Sequence, residues 1–357
     1  MSKNQKKVTS KQVAERAGVS QTTVSFVLNQ VENSNISTET RQRVLQAVQE
    51  LNYVPDTAAR ALARGRSSNI GLLLLHPHEQ VFIDEYIPNI LTGLSQVARQ
   101  NGFRILVEMI TDDHLPDAYI NLIRGKEVAG IIINAPTVQD GLSLHRYAAE
   151  GFPIVTLDNV HSDIYSVIVD KLHGVRKAVK HLINLGHQSI GCISYAPVPI
   201  NKHAADRLHI FRAALESAHL SYDERFVREG NFDPETGYEA MKSILAEPVH
   251  PTAIFAMNDM MAFGAITAIR EHGLRVPEDI AIVGFDDVRL ARYTTPALTT
   301  IHEPDVEHGR RAAQTLLDLI NGRTPSDKHT RLTTELVIRQ SCGSHLRASH
   351  TQSGLQT

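Results

Sequence analysis

The chain has 357 residues, 42% of them hydrophobic and 21% charged, a composition typical of a soluble globular protein with more than one domain. Its two cysteines lie far apart in apolar stretches, which excludes a disulfide framework and matches no metal-binding spacing. The formal net charge is −3, yet residues 1–67 hold ten Lys and Arg against five Asp and Glu. A basic end on an acidic body favours phosphate contact at that end only.

Several other classes of protein are also excluded. The opening residues MSKNQKKVTSKQ lack the apolar segment of a secretory signal, and no run of about 18 apolar residues occurs. Phosphate-loop and H-E-x-x-H signatures are missing, and the stretch GLSQV at 93–97 does not fit G-x-S-x-G. We therefore expect a cytoplasmic protein that is not an enzyme, has no membrane segment and needs no cofactor or metal.

The stretch VTSKQVAERAGVSQTTVSFVLN, residues 8–29, predicts two short helices joined by a tight turn. Apolar residues recur at helical spacing on both sides of Gly18, which tolerates the positive φ that such a corner requires. Thr9 or Ser10 is suited to cap the first helix, and Ser20 the second. The pattern fits either a helical hairpin in a core or a helix-turn-helix, whose second helix enters the DNA major groove.

Two more helices are predicted before residue 68. Ser37 begins the first of them and completes a small three-helix unit. Its apolar face is expected to consist of Val44, Leu45, Val48 and Leu51. Pro55 and Gly65 mark the start and end of the second, which is either a linker or a helix that contacts DNA.

From Asn69 onward, short apolar strands alternate with helical segments, which predicts parallel sheets covered by helices on both faces. One helix is expected from about Ile87 to Asn101. Strands are expected at 70–75, 104–109, 130–134, 154–158, 189–194, 253–257 and 281–285. The number of strands is too large for one regular sheet. It favours two α/β subdomains of about six strands each.

Taken together, these segments resemble the LacI/GalR family of bacterial transcription regulators. The matching residues are VAERAGVS at 13–20 and TVSFVLN at 23–29, and the resemblance extends from about Thr9 to about Ser341. It implies a small all-α helix-turn-helix headpiece followed by an α/β two-subdomain fold of the periplasmic-binding-protein type I. The implied division is a DNA-binding headpiece at 1–52, a hinge helix and linker at 53–67, an effector-binding and dimerisation domain at 68–343, and a polar tail at 344–357.

The resemblance also implies that the chain crosses three times between its two subdomains. We expect the crossings near 160–165, 290–297 and 322–330. The N-terminal subdomain would then comprise about 68–163 and 293–325, and the C-terminal subdomain about 164–292 and 326–343. Some family members tetramerise through a terminal helix with leucine heptads, which this tail lacks, so we expect a homodimer.

In the family, exposed residues at the start of the second helix contact DNA bases. Gln21 can bond both N6 and N7 of adenine, and Thr22 offers a hydroxyl and a methyl group. Phe26 departs from the family pattern, because many members carry Arg there. Leu62 matches the family's intercalating leucine, which kinks DNA from the minor groove. The expected DNA-binding residues are Thr9, Ser20, Gln21, Thr22, Thr23, Ser25, Phe26, Asn29, Arg60, Leu62 and Ala63.

Candidate ligand contacts follow the predicted strands, because ligands bind beyond the carboxyl ends of open parallel sheets. Amides, carboxylates, a guanidinium and an aromatic face together suit a sugar or another polyol. The resemblance matches most of these positions to effector contacts, with Asn201 and Glu303 at variable ones. The expected set is Tyr86, Asn134, Asp158, Asn159, Asn201, Arg207, Phe232, Asn258, Asp286 and Glu303. Asp259 and Asp287 are alternatively helix caps.

The resemblance implies a sequence-specific repressor whose affinity for double-stranded operator DNA is controlled by a small ligand, expected to be a sugar or a sugar derivative. Two alternatives stay open, namely a solute- or sugar-binding protein and a regulator controlled by a protein partner. The basic headpiece and the missing signal sequence argue against the first. The sequence predicts neither the identity of the ligand, nor the sign of its effect, nor the operator.

Overall fold

The computed structural model divides the chain into two units, Met1–Ser68 and Asn69–Thr357. It describes residues 8–28, 35–53, 67–75, 82, 85–110, 115–134, 138–157, 161–195 and 202–346. The predicted site residues outside these ranges are Asn29, Arg60, Leu62, Ala63, Asp158, Asn159 and Asn201. Within the described ranges, no helix combines the length and apolar character needed to cross a membrane.

The first unit contains three helices, α1 (Ser10–Ala17), α2 (Gln21–Leu28) and α3 (Thr38–Glu50). Its buried core consists of Val13, Ala14, Ala17, Val24, Val27, Val44 and Ala47. Leu45 was expected on the apolar face of α3, but its exposed fraction is 45%. Positions three and four apart share a helix face, so Val44 brings Ala47 inward and leaves Leu45 on the other side.

The ends of the two short helices are closed by local hydrogen bonds. Thr9 caps α1 in a reciprocal capping box with Gln12, and Gly18 ends the helix in the left-handed conformation with φ of 66°. At the start of α2, Ser20 Oγ accepts a hydrogen bond from the Thr23 N–H at 3.0 Å. These caps provide hydrogen-bond acceptors for N–H groups that have no partner within helices of eight residues. They thereby stabilise a unit with a small core.

The second unit contains two six-stranded sheets, as the strand count predicted. The first sheet consists of β1 (Asn69–Leu75), β2 (Arg104–Ile110), β3 (Ile131–Asn134), β4 (Ile154–Thr156), β5 (Tyr165–Asp170) and β11 (His329–Thr333). Its strands lie in the order β11-β5-β4-β3-β1-β2 and are all parallel. Their near-continuous apolar residues are buried because helices cover both faces.

The second sheet consists of β6 (Ile190–Tyr195), β7 (Val227–Gly230), β8 (Ala253–Ala256), β9 (Ala281–Asp286), β10 (Thr299–His302) and β12 (Glu335–Val337). Its order is β12-β10-β9-β8-β6-β7. Only β12 runs antiparallel to its neighbour among these strands. A single large core of aliphatic and aromatic side chains surrounds this sheet.

The covering helices of this unit are α4 (Tyr86–Gln100), α5 (Leu115–Arg124), α6 (Val138–Ala149), α7 (Lys171–Asn184), α8 (Lys202–Ser217), α9 (Pro234–Leu245), α10 (Asp259–Glu271) and α11 (Asp305–Ile320). Two pairs, α4 with α11 and α9 with α10, approach to backbone contact. Glycines permit this approach, since a Cβ at Gly93, Gly309, Gly237 or Gly264 would overlap the backbone of the facing helix.

The predicted subdomain boundaries are wrong by about one strand at each crossing. β5 and β11 pair within the first sheet, although both were assigned to the C-terminal subdomain, and β10 pairs within the second. The chain therefore crosses at 170–171, at 303–304 and at Thr334. The residues of these short strands carry no pattern that distinguishes the two sheets. Which sheet each strand joins is therefore decided by pairing with strands that are distant in sequence.

Candidate functional site

In the first unit, α2 presents two polar side chains and one aromatic side chain on the side away from its core residues. Val24 and Val27 are buried, whereas Gln21 and Thr22 are exposed and the exposed fraction of Phe26 is 38%. Thr22 and Phe26 are four residues apart and lie on the same helix face. An exposed helical face that begins at the N-terminus is the arrangement with which helix-turn-helix proteins contact base edges.

Three other predicted DNA contacts, Thr9, Ser20 and Thr23, take part in helix capping. Thr9 is the N-cap of α1, and the hydroxyls of Ser20 and Thr23 lie 2.9 Å apart at the start of α2. Ser25 is partly buried on the same helix. Since capping hydroxyls lie at helix N-termini, which attract phosphate oxygens, these positions suit contacts with the DNA backbone better than contacts with bases.

In the second unit, Arg207 is the centre of a buried polar cluster. Its Nη1 donates to Tyr195 Oη at 2.8 Å and to the Met257 carbonyl oxygen at 3.1 Å. The guanidinium lies over the ring of Phe285, 4.4 Å from the centroid. Its Nε has no hydrogen-bond partner among the residues that the structure describes. A guanidinium held in place with an unused donor is suited to bind an oxygen-rich ligand.

Phe232 stacks on Tyr195, with the ring centroids 4.1 Å apart and the planes at 17°. Its φ of 63° lies in the left-handed region, and Asn258 holds this loop by donating from Nδ2 to the Phe232 carbonyl at 3.2 Å. The Oδ1 of Asn258 accepts from the Met261 N–H at 2.8 Å and caps α10. Asn258, predicted as a ligand contact, therefore acts here on the position of Phe232 and on the start of a helix.

Glu303 lies at the second crossing and is 3% exposed. Its Oε2 is 2.9 Å from Lys171 Nζ, and its Oε1 is 3.6 Å from Arg207 Nη2. Burial raises the pKa of Glu303, but the charges of Lys171 and Arg207 outweigh it and hold the pKa below its ordinary value. Burial lowers the pKa of Arg207, because it disfavours the charged form. The interactions with Tyr195, Glu303 and Asp286 are larger and raise this pKa above its ordinary value. Both groups are therefore ionised at neutral pH.

Asp286 is the last residue of β9 and has a φ of 111°. It is partly buried, and its charge acts on Arg207. Just beyond it, the Arg289 N–H donates to Glu85 Oε2 at 3.0 Å, which connects the end of β9 with the residue that precedes α4. The two halves of the second unit therefore meet near Asp286 as well as at the crossings.

The neighbouring carboxylates Asp259 and Asp287 are not the N-caps of the helices that follow them, which are Asn258 and Val288. Asp259 is fully buried, and its two oxygens accept from Thr300 Oγ1 at 2.6 Å and from the Val288 N–H at 2.9 Å. Burial raises the pKa of Asp259 to about 8. Asp287 accepts a hydrogen bond from Arg339 Nη2 at 2.6 Å. The predicted capping role is wrong for both, because these bonds connect β9 and β10 to their surroundings.

On the side of the first sheet, Tyr86 Oη donates to Asn134 Oδ1 at 2.9 Å. The Lys171 ammonium that pairs with Glu303 lies 4.8 Å from the centroid of the Tyr86 ring. A continuous series of contacts therefore runs from Asn134 through Lys171 and Glu303 to Arg207. We call this series, with Tyr195 and Phe232, the cleft cluster.

Lys171 and Tyr195 belong to this cluster but are not among the site residues predicted from the sequence. Tyr195 is the last residue of β6, and Lys171 directly follows β5. Both therefore occupy the carboxyl ends of strands, the position that selected the other candidates. Lys171 was missed because no strand was predicted at 165–170, so no strand end pointed to it.

Residues 9–56 match the family described as bacterial regulatory proteins, lacI family, and residues 179–342 match a periplasmic binding protein-like domain. The chain is 36% identical over 338 residues to the HTH-type transcriptional repressor PurR of Klebsiella pneumoniae (strain 342), an alignment that covers 93% of this chain and 96% of that protein. The chain belongs to the LacI family of bacterial regulatory proteins.

Two solved structures of transcription regulators have the same fold. The lac repressor dimer bound to operator and the anti-inducer ONPF superposes with a TM-score of 0.83 at 33% identity, over 94% of this chain and 99% of that one. The complex of the transcriptional regulator CelR with cellobiose gives a TM-score of 0.67 at 29% identity, with the same coverage. The predicted fold class, a helical headpiece followed by a two-sheet α/β body, is confirmed.

Proposed function

We propose that this chain is a transcriptional repressor that binds operator DNA as a homodimer through α2 and is controlled by a sugar or sugar derivative bound at Arg207. The cleft cluster carries this proposal, because a ligand at Arg207 contacts a network that extends into both sheets. The affinity for such a ligand depends on how the two halves of the unit are arranged. That dependence is the requirement for a ligand to control another site.

The chemistry of the cluster favours a ligand rich in hydroxyl groups. Arg207 and Asp286 are planar groups that bind two neighbouring hydroxyls at once, and Lys171 and Glu303 add a second ionised pair. The stacked rings of Phe232 and Tyr195 supply an apolar surface for one face of a sugar ring. The structural neighbour CelR, solved with cellobiose, supports the same class of ligand.

The aromatic stack also favours a second candidate, a planar nucleobase. Aromatic faces bind flat heterocycles by stacking, and the pair Tyr195–Phe232 is already parallel. A sugar is preferred because Arg207 contacts the stack and pairs with Glu303, which pairs with Lys171, and hydroxyl groups satisfy more of these charged groups than a single base edge does. If neither class alters operator binding, control by a protein partner becomes the working hypothesis.

Coupling between ligand and operator is reciprocal by thermodynamic linkage. A ligand that changes the operator affinity must itself bind with an affinity changed by the same factor, typically worth about 1–3 kcal/mol. The ligand can either raise or lower operator affinity under this rule. Inducers and corepressors differ only in which arrangement of the two halves they stabilise.

The test begins with operator sequences selected from a randomised DNA pool by the full chain. Fluorescence anisotropy at fixed salt then measures operator affinity with mono- and disaccharides and, separately, with nucleobases and nucleosides. Arg207→Ala is expected to lose the ligand response and to retain operator binding. Arg212→Ala is the matched control, because Arg212 lies on the same helix and pairs with Glu216 at 2.9 Å.

Two results would contradict the proposal. Failure of the full chain to enrich any sequence would refute operator recognition. A normal response to the sugar in Arg207→Ala would show that the ligand binds elsewhere, even if DNA recognition holds.

A further inference from the structure

Three side chains that commonly bind metals come together outside the cleft cluster. His145 lies in the C-terminal half of α6, and His161 and Asp163 lie in the turn before β5. The Nδ1 atoms of both histidines are 4.0 Å from Asp163 Oδ2, and one donor atom from each residue lies within 4.8 Å of the others. We propose that this His145–His161–Asp163 cluster binds a divalent cation of the zinc class.

The donor types select the class of cation. Imidazole nitrogen and carboxylate oxygen are the usual ligands of Zn²⁺, which takes four ligands in a tetrahedron. Mg²⁺ and Ca²⁺ prefer sites made of oxygen atoms, so two imidazoles disfavour them. Three protein ligands leave one position for water or for a further group.

The spacing of the donor atoms is close to what zinc requires. Zinc bonds of about 2.0–2.2 Å separate tetrahedral ligands by about 3.4 Å, so movements of about 1 Å bring these donors onto one ion. The two imidazole rings are stacked, with centroids 4.2 Å apart and planes at 24°. Rotation about the Cβ–Cγ bond is a broad, soft torsion that lets their lone pairs converge.

The hydrogen-bonding state of the cluster also favours an additional ligand. His145 Nδ1 is buried and has no hydrogen-bond partner within the described part of the chain. A buried polar atom without a partner is costly, and coordination of a cation would satisfy it. His161 Nδ1 accepts from the Asp163 N–H at 3.1 Å, and a cation at this nitrogen would replace that hydrogen bond, since the nitrogen has a single lone pair.

The backbone that carries the donors is held from both sides. Leu144 and Ile164, which neighbour two of the donors in sequence, are buried in one hydrophobic core. His329 Nε2 contacts the Ser162 carbonyl oxygen at 3.2 Å and fixes the turn between His161 and Asp163. Donors attached to such a framework lose little conformational entropy on binding an ion.

Lys328 is the charged neighbour that opposes the ion. Its Nζ lies 3.4 Å from Asp163 Oδ1, on the same carboxylate whose other oxygen faces the histidines. A cation bound to Asp163 is repelled by this ammonium. Removing the charge of Lys328 should therefore strengthen cation binding, a gain that damage to the fold cannot imitate.

The experiment uses the full untagged chain after treatment with a chelator. Competition with a chromogenic zinc indicator gives the affinity and stoichiometry, and the absorption spectrum of bound Co²⁺ reports tetrahedral coordination. We expect one ion per chain, with no competition from Mg²⁺ or Ca²⁺. The double variant His145→Ala/His161→Ala should lose this ion, and Asp163→Asn should weaken it at least about tenfold, since even indirect partners of a metal contribute that much.

Two further variants complete the test. His209→Ala removes an exposed histidine of α8 and should leave the affinity unchanged. Lys328→Met should bind the ion more tightly than the parent chain. Unaltered zinc affinity in the double variant would overturn the proposal, as would unaltered affinity in Lys328→Met. Melting temperatures measured without metal show which variants retain the fold.

Discussion

The ammonium of Lys171 lies 2.9 Å from Glu303 Oε2 and joins the first and second crossings of the chain between its two sheets. The carboxylate is almost fully buried, and its other oxygen faces Arg207. A movement of one sheet relative to the other must therefore carry this pair along or break it. The pair connects the ligand cluster with the segments about which the two halves would rotate.

Glu303→Gln should lower the free energy of unfolding by about 3 kcal/mol, because it removes a buried counter-charge of Arg207 and the partner of Lys171. Chemical denaturation at pH 7 measures the loss. The pKa of Glu303 is lowered in the folded chain, so its contribution is present above its ordinary value of 4.5 and disappears as pH falls through the folded value. The difference between parent and variant should shrink accordingly in acid.

Glu216→Gln provides the matched control, since Glu216 forms an exposed pair with Arg212 at 2.9 Å. Exposed pairs contribute about 0–1 kcal/mol, so this variant should stay close to the parent. Equal losses in Glu303→Gln and Glu216→Gln would contradict a special role for the buried pair.

His302 gives the second unit a pH-dependent contact between β10 and the end of β9. Its Nδ1 lies 3.2 Å from Asp287 Oδ2, and this hydrogen bond raises the pKa of His302 above 6.5, although burial opposes the shift. A raised pKa means that the stabilisation is fully present below pH 6.5 and is lost as pH rises through the folded value. His302→Gln should therefore reduce the change of melting temperature with pH between 6.5 and the folded pKa of His302. The same slope in His302→Gln and in the control His209→Gln would refute the assignment.

Gln21 and Thr22 are exposed at the start of α2, where side chains reach base edges in the major groove. Exchanging both residues should change the preferred half-site by about 1–3 kcal/mol for each altered base contact. Selection from a randomised operator pool measures the preference. The control is Gln49→Ala, an exposed change on α3. An unchanged consensus in the α2 variant would remove these residues from base recognition.

Leu62 lies outside the described residues, and its expected role as a minor-groove wedge rests on the family resemblance. A linker helix tolerates Leu62→Ala, because alanine has the higher helix propensity. A wedge does not, since the inserted side chain offsets the few kcal/mol needed to unstack a base step. We expect specific operator affinity to fall by about an order of magnitude or more, with a smaller DNA bend.

Binding to random DNA is the internal control for Leu62→Ala, because it depends on phosphate contacts from unchanged Lys and Arg residues. Competition titrations at one salt concentration compare the two DNAs. An equal loss on both would indicate a damaged headpiece, and no loss on either would show that residues 56–64 act only as a tether.

Local patterns in the sequence predicted many of the elements and several members of the site. The helical spacing around Gly18 predicted α1 and α2, and the apolar runs predicted seven strands within about three residues. Arg207, Asp286 and Phe232 were found because they match positions of a known family. Periodicity and turn chemistry depend on neighbouring residues, so a single chain displays them without reference to its fold.

The arrangement of those elements depends on contacts between residues that are far apart in the chain. Strand β5 pairs with β11 across more than 150 positions, and Lys171, which follows β5, meets Glu303, which follows β10 in the other sheet. Asn258 is a helix cap that holds Phe232, a role visible only when both loops are placed. His145 and His161 likewise meet because α6 folds back on its sheet. Composition and periodicity record which residues are buried, but the packing of distant segments decides which side chains meet there.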